Sequence, residues 1–251
     1  MPRCADAGMR LPARGLPGRV DLHAFACVPH AAQAVLRLDA PLLEAWKSLG
    51  VCGAPRLPAS ASAARQLEYF ASRAAAAALL RAQGAADTSV MTGDGRAPVW
   101  PDSFVGSISH SAQLACVAVQ PASVCQGLGI DAQPWLTPQA ATDVRMRCVG
   151  DAQWRTLAEV GKEKAAGLSA SALLTLAFSA KEAFFKCVYP RVGRHFEYTD
   201  ACLDPAELVQ GRIRMQMVVA AGPQLPAGFT LNGTASFALG HVFTAFVWPA
   251  D

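Results

Sequence analysis

The segment 170–189 predicts a long helix that is apolar on nearly all sides, with Pro190 expected to end it. A helix of this composition is normally buried, so the rest of the chain has to pack around it. Charged side chains are rarely buried without a partner or a function. Glu182 and Lys186 lie four positions apart in this segment and therefore share one face of the helix. They form either an ordinary helix ion pair or part of a functional site.

The composition indicates a compact globular protein of 251 residues, enough for one large domain or two small ones. Hydrophobic residues make up 52% of the chain and charged residues 16%, which argues against extensive disorder. The net charge of +3, without any lysine- or arginine-rich block, argues against a nucleic-acid-binding protein. No apolar stretch is long enough to span a membrane, and residues 1–20 lack the apolar core of a secretory signal. Eight cysteines occur singly, which is typical of a reduced, cytoplasmic protein.

The order of the predicted elements indicates an α+β fold. Residues 1–20 are expected to form a loosely ordered tail. The expected helices span 62–83, 138–148, 152–160 and 170–189, and the expected strands span 22–28, 104–108, 114–120, 128–132, 212–220, 229–238 and 242–248. This pattern repeats once along the chain, which predicts two similar α+β lobes related by pseudo-symmetry. A linker expected at 121–126 divides them into lobes 21–125 and 126–251.

Asp131 is the second candidate acid, since it follows three apolar or small residues and is expected at the end of a short strand. Two carboxylates, phosphate oxygens and waters are the usual ligands of Mg²⁺, so Asp131 and Glu182 are candidate metal ligands. Alternatively, Asp131 only caps the turn before Pro134. Glu182 can also act as a general base, and Lys186 suits a phosphate oxygen as a mobile positive charge.

A second group of polar residues suits a phosphate. Ser109 and His110 are expected in a polar link after a strand, where they either bind a phosphate or form an ordinary turn. Arg65 and Arg73 share one face of a predicted helix, and Arg96 lies in a glycine-rich loop. Each arginine alone is typical of a solvated surface charge, whereas the three together can bind an anion. A serine hydrolase built on Ser109 and His110 is a further alternative, although no Gly-x-Ser-x-Gly motif surrounds the serine.

Four segments of the chain resemble 4′-phosphopantetheinyl transferases of the Sfp type, and most closely the subgroup of the enterobactin synthetase component D. They read Arg-Ala-Pro-Val-Trp-Pro at 96–101, Gly-Ser-Ile-Ser-His-Ser at 106–111, Gly-Ile-Asp at 129–131 and Leu-Thr-Leu-Ala-Phe-Ser-Ala-Lys-Glu at 174–182. The order and spacing match the family, and the last segment is the most specific. The likeness covers at least residues 60–190.

This resemblance implies a magnesium-dependent enzyme, and the sequence leaves open whether Mn²⁺ replaces Mg²⁺. It moves the 4′-phosphopantetheine arm of coenzyme A to a serine of an apo carrier protein and releases 3′,5′-ADP. The carrier is an acyl, peptidyl or aryl carrier of a siderophore, polyketide, nonribosomal-peptide or fatty-acid pathway. The implied fold is a monomeric pseudo-dimer of two α+β lobes with the active site in the cleft between them.

The resemblance also implies roles for individual residues. The family's metal aspartate falls on Asp131, its helix glutamate on Glu182, and the lysine one turn later on Lys186. The implied coenzyme A contacts are Arg65, Arg73, Arg96, Ser109, His110 and Lys186. One position departs from the family pattern, because Gln133 stands where a glutamate ligand is usual. A weakened site would suit a non-catalytic coenzyme A- or nucleotide-binding component of a biosynthetic assembly, which is the alternative function.

Overall fold

The structure is a computed structural model that describes residues 16–20, 28, 31–49, 57–58, 60–93, 97–111, 113–163, 168–205 and 208–250. Most of the expected tail therefore lies outside the described residues, as do positions 22–27 of the first expected strand and the candidate ligand Arg96. Val28 is described and is not part of a strand. Among the described residues, no helix is long and apolar enough to cross a membrane.

The described chain divides into two compact units. The first comprises the described residues up to position 128 together with those from Pro249 onward, and the second runs from Gly129 to Trp248, so the strand Cys125–Pro134 continues from the first unit into the second. Each unit combines helices with a β-sheet, which confirms the predicted α+β class.

The first unit contains β1 (Arg19–Val20), β2 (Ala32–Arg37), α1 (Leu43–Ser48), α2 (Ala63–Ala82), β3 (Met91–Thr92), β4 (Pro98–Val99), β5 (Phe104–His110) and β6 (Leu114–Pro121). Its main sheet has the order β1–β2–β6–β5, and α2 packs against β6 and β2. The alanine-rich α2 is capped at its N-terminus by Ser62, whose hydroxyl accepts a hydrogen bond from the backbone N–H of Arg65. The prediction of α2 is confirmed, whereas β2 and α1 carry no strong periodic pattern and were not predicted.

The second unit contains β7 (Cys125–Pro134), α3 (Pro138–Cys148), α4 (Asp151–Glu163), α5 (Ala170–Val192), β8 (Ala201–Asp204), β9 (Arg212–Met217), β10 (Thr230–Ala238) and β11 (His241–Pro249). Its sheet has the order β7–β11–β10–β9–β8. The core joins α5 to this sheet through fully buried side chains such as Phe184, Met215 and Phe246. This burial confirms the prediction that the apolar helix α5 is buried.

Two expected boundaries are wrong. Cys125 and Gln126 already belong to β7, so the expected linker is a tight turn at 122–124 between two strands. Helix α5 continues past Pro190 and ends at Gly193, whose positive φ of 64° is favourable for glycine. A proline this close to the end of a helix removes one hydrogen bond, and too few residues follow it for a kink to matter.

Candidate active site

A glycine on β7 allows this strand to lie directly against α5. A Cβ atom built on Gly129 would lie 1.9 Å from the carbonyl oxygen of Ala183 and 2.5 Å from the backbone nitrogen of Cys187. Side chains alternate along a strand, so Asp131 projects to the same face as Gly129. The close approach therefore brings Asp131 to the turn of α5 that carries Lys186.

We expect Gly129→Ala to destabilise the protein by about 2 kcal/mol, because the added methyl group overlaps the backbone of α5. The measurement is the midpoint of urea unfolding. Gly150→Ala is the matched control, since a Cβ atom there has no neighbour within 4 Å. Equal stability of Gly129→Ala and the control would contradict the close approach of β7 to α5.

Asp131 is buried and forms an ion pair with Lys186. The Nζ atom of Lys186 lies 2.7 Å from Oδ1 of Asp131 and 3.3 Å from the carbonyl oxygen of Ile130. The side chain of Asp131 is 8% exposed and that of Lys186 is 28% exposed. Lys186 thus pairs across to β7 and not along the helix to Glu182, so the interpretation of these two residues as a helix ion pair is wrong.

Glu182 has a different partner. Its Oε1 atom accepts a short hydrogen bond from the hydroxyl of Tyr198. Burial raises the pKa of Tyr198 above its ordinary value, and the negative charges of Glu182 and Asp131 raise it further. Because Asp131 pairs with Lys186, which follows Glu182 by one turn of α5, the two predicted metal ligands lie beside neighbouring turns of this helix.

Lys181 supports this neighbourhood from the backbone side. Its ammonium group is buried and donates to the carbonyl oxygens of Cys148 at 2.8 Å, Tyr198 at 2.5 Å and Ala201 at 2.7 Å. Burial lowers the pKa of Lys181 to about 8. The sequence signal for Lys181 is a charged residue in an apolar helix, but its three acceptors are far away in the sequence.

A pocket of about 210 Å³ opens beside the Glu182 carboxylate. Its walls are mainly aromatic, and the lining residues are Lys181, Glu182, Phe185, His195, Phe196, Tyr198 and Ala201. The ring of His195 stacks on Phe185 with a distance of 5.4 Å between the ring centroids. The pocket therefore presents aromatic rings and the polar side chain of Glu182 to a ligand.

The donor atoms around Glu182 fit Mg²⁺. Asp131 and Glu182 supply hard carboxylate oxygens, and phosphate oxygens and waters can complete such a site. The amide nitrogen of Gln133 donates to the carbonyl of Pro134 at 3.4 Å, so its amide oxygen is the atom suited to a cation. No three His, Cys, Asp or Glu side chains in the described part of the chain are placed to hold a metal by themselves. A cation held by Asp131 and Glu182 would therefore need further oxygens from a ligand or from water.

A second charged group lies in the first unit, where α2 meets β5. A guanidinium nitrogen of Arg65 donates to Oε2 of Glu68 at 2.9 Å and lies 3.2 Å from Nε2 of His110. The other ring nitrogen of His110 lies 3.5 Å from the same oxygen of Glu68. The structure thus brings two of the predicted phosphate contacts together, and adds Glu68 as a counter-charge that sequence reasoning missed.

Arg73 lies on the same helix and is 7% exposed. Its guanidinium sits 5.0 Å from the ring centre of Tyr69, and Nη2 lies 3.4 Å from the hydroxyl oxygen of Thr92. The Nε atom has no hydrogen-bond partner among the described residues. Burial lowers the pKa of Arg73, and the neighbouring charge of Arg65 contributes to the shift. A buried guanidinium of this kind is suited to an anionic ligand.

Ser109 and His110 both lie within β5 and not in the expected polar link. Successive side chains of a strand point to opposite faces, so His110 points toward Arg65 and Ser109 points to the other face. A serine hydrolase needs the hydroxyl and the imidazole within hydrogen-bond reach. The geometry of β5 therefore argues against the hydrolase alternative.

Comparison with known proteins gives matches over most of this region. A model described as the 4′-phosphopantetheinyl transferase N-terminal domain matches residues 54–120, and one described as the 4′-phosphopantetheinyl transferase superfamily matches residues 127–223. The 4′-phosphopantetheinyl transferase PptT of Mycobacterium tuberculosis is 30% identical over 200 residues, which cover 76% of this chain and 82% of that protein.

Enterobactin synthase component D of Escherichia coli O157:H7 is 38% identical over 124 residues, which cover 49% of this chain and 54% of that protein. The Salmonella typhimurium protein of the same name is 35% identical over 133 residues, covering 53% of this chain and 52% of that protein. The chain thus spans about half the length of these two relatives.

Proposed function

Because the chain belongs to the 4′-phosphopantetheinyl transferase family, we propose that it transfers the 4′-phosphopantetheine arm of coenzyme A to a serine of an apo carrier protein. The other product is 3′,5′-ADP. The observation that carries this proposal is the ion pair of Asp131 with Lys186, one helical turn from Glu182, where β7 lies against α5. All three residues lie in the segment matched by the superfamily model.

Asp131 and Glu182 are the residues that would hold Mg²⁺, which would neutralise the coenzyme A pyrophosphate. Lys186 is already fixed beside these carboxylates by its ion pair with Asp131, so its ammonium is available to the oxygens of the departing phosphate. Glu182 is the proposed general base that takes the proton of the attacking serine, directly or through one water. Catalysis then rests on positioning and charge stabilisation, as in other phosphoryl transfers.

The coenzyme A phosphates are proposed to contact Arg65, Arg73 and His110. The buried guanidinium of Arg73 supports this assignment most strongly, because its Nε atom lacks a partner within the described residues. The charge of Arg65 is balanced by its ion pair with Glu68. A phosphate bound at Arg65 would therefore share the guanidinium with the Glu68 carboxylate or displace that carboxylate. Ser109 and Arg96 stay predictions from the family resemblance.

An acidic carrier domain suits an enzyme with a net charge of +3. Several of the matched relatives are named enterobactin synthase component D, which makes siderophore carrier domains the first candidates to test. The single, scattered cysteines support a cytoplasmic location.

The proposed function is tested by incubating the protein with coenzyme A, Mg²⁺ and a panel of apo carrier domains. Intact mass spectrometry should show one added phosphopantetheine on at least one carrier, and the addition should disappear with excess EDTA. A carrier whose target serine is changed to alanine is the control. Coenzyme A binding without transfer to any carrier would contradict the proposal and favour the non-catalytic alternative.

We expect Gln133→Glu to lower the Mg²⁺ concentration for half-maximal transfer by about tenfold, since a third carboxylate is added near the proposed cation. The measurement is the transfer rate as a function of Mg²⁺ concentration. Gln139→Glu adds the same charge at an exposed position on α3 and should leave the Mg²⁺ dependence unchanged. An equal response of the two variants would contradict a role for position 133 near the metal.

A further inference from the structure

Residue 198 is held by two consecutive residues of α5. The ammonium of Lys181 binds the backbone carbonyl oxygen of Tyr198 at 2.5 Å, and Glu182 accepts a hydrogen bond from the hydroxyl group of the same tyrosine. One residue is thus fixed at its backbone and at the far end of its side chain. The partner of the hydroxyl group is the Glu182 carboxylate, which is the general base and a metal ligand in the proposed function.

The backbone anchor is firm because the ammonium of Lys181 is buried. The residue is 3% exposed, and the carbonyl oxygens of Cys148, Tyr198 and Ala201 accept its hydrogen bonds. Displacement of the 198–201 segment would leave the buried ammonium with the carbonyl oxygen of Cys148 and without its other two acceptors, which is costly. The tyrosine is therefore held at a fixed distance from α5.

The ring of Tyr198 is also fixed. It packs against Phe178, one turn before Glu182 on α5, with 5.9 Å between the ring centroids. A ring fixed at this position sends its hydroxyl group toward one oxygen of Glu182. The other carboxylate oxygen stays available to a cation or to a substrate hydroxyl.

We propose that Tyr198 is a positioning residue that fixes the orientation of the Glu182 carboxylate. This inference rests on the proposed function, in which Glu182 binds the metal and takes the serine proton. Without the hydrogen bond from Tyr198, the carboxylate can rotate about its terminal bond, and both tasks lose their geometry. A ligand held in place by an outer hydrogen bond commonly loses metal affinity or activity when that bond is removed.

The test is Tyr198→Phe, which deletes one oxygen and keeps the ring. We expect the kcat of transfer to fall about tenfold, the KM for coenzyme A to stay constant, and the Mg²⁺ midpoint to rise several-fold. A second readout does not depend on activity: the rise in Tm that Mg²⁺ produces should require higher concentrations in this variant. Tyr189→Phe is the matched control on α5, because Tyr189 is not among the residues that line the pocket, although its ring stacks on Phe185.

A double-mutant comparison separates positioning of Glu182 from a general loss of structure. In a Glu182→Gln background, adding Tyr198→Phe should produce little further loss of transfer, since the hydrogen bond acts through the carboxylate. If the double variant instead lost transfer activity by the product of the two single-variant factors, the inference would be overturned. An unchanged Mg²⁺ response in Tyr198→Phe would also overturn it. A wild-type protein that responds to Mg²⁺ but labels no carrier would contradict the proposed function alone, and the Tm readout would still decide the role of Tyr198. A wild-type protein without any Mg²⁺ response would contradict both.

Discussion

Glu182→Gln is expected to lower transfer to a carrier protein about 1000-fold while coenzyme A affinity changes by less than about twofold. Glutamine keeps the shape of the side chain, but it cannot take a proton from the serine and is a weaker ligand for Mg²⁺. Coenzyme A binding should survive, because Arg73 and Lys186 keep their charges. The variant should also stay folded, since the carboxylate is only half-buried and its neighbours on α5 form the core.

The measurement pairs single-turnover transfer, followed by intact mass, with calorimetric titration of coenzyme A. Glu159→Gln makes the same chemical change on the exposed face of α4 and should transfer at the wild-type rate. Full activity of Glu182→Gln would refute the assignment of Glu182 as the base. A parallel loss of coenzyme A binding would show that Glu182 acts in substrate binding and not in the chemical step.

Asp131→Asn is expected to have the second-largest effect, because one carboxylate serves two partners. Its negative charge pairs with Lys186 at 2.7 Å and is one of the two proposed for Mg²⁺. We expect the rate of transfer to fall at least about 100-fold. The Mg²⁺ concentration for half-maximal transfer should rise above every concentration used to titrate the wild-type protein. The free energy of unfolding should also fall by about 2 kcal/mol, since a hydrogen bond between charged groups is lost at a largely buried position.

Transfer rates over a range of Mg²⁺ concentrations measure the first effect, and urea unfolding measures the second. Asp143→Asn removes one carboxylate from an exposed position of α3 and is the matched control. An unchanged Mg²⁺ midpoint in Asp131→Asn would remove this residue from the metal site. A loss of stability without any loss of transfer would leave Asp131 with a structural role only.

The buried helix of the second unit is the part of the fold that the sequence predicts most securely. Apolar residues occur on nearly every side of α5, and a helix of that kind is normally buried in the core of a protein. The end of the helix is less predictable, because Pro190 is a stop signal whose effect depends on how many residues follow it. Gly193 supplies the actual end with its left-handed backbone.

The partners of the charged residues are much harder to predict than the residues themselves. Local spacing pairs Glu182 with Lys186, yet the fold brings in Asp131 and Tyr198, which compete for these two side chains. The contact of Lys186 with Asp131 depends on the close approach at Gly129, which is a property of two packed elements. Such long-range contacts leave no periodic signal in the chain.

The same limit applies to the first unit. The motif containing Ser109 and His110 predicts two neighbouring polar groups, but continuation of β5 through both residues sends them to opposite faces. Glu68 contacts both Arg65 and His110. Helical spacing predicts the contact with Arg65, but it gives no information on the contact with His110, which is distant in the sequence. Residue types are thus readable from the sequence, whereas their grouping requires the fold.

The most direct test of the account is the position of the metal ion. Crystals grown with coenzyme A and Mn²⁺, which oxygen-rich sites accept in place of Mg²⁺, would locate the ion by its anomalous scattering. The expected result is a peak coordinated by one oxygen of Asp131 and one of Glu182, with the coenzyme A pyrophosphate as a further ligand. A peak bound to other side chains, or to only one of these two carboxylates, would contradict the proposed site.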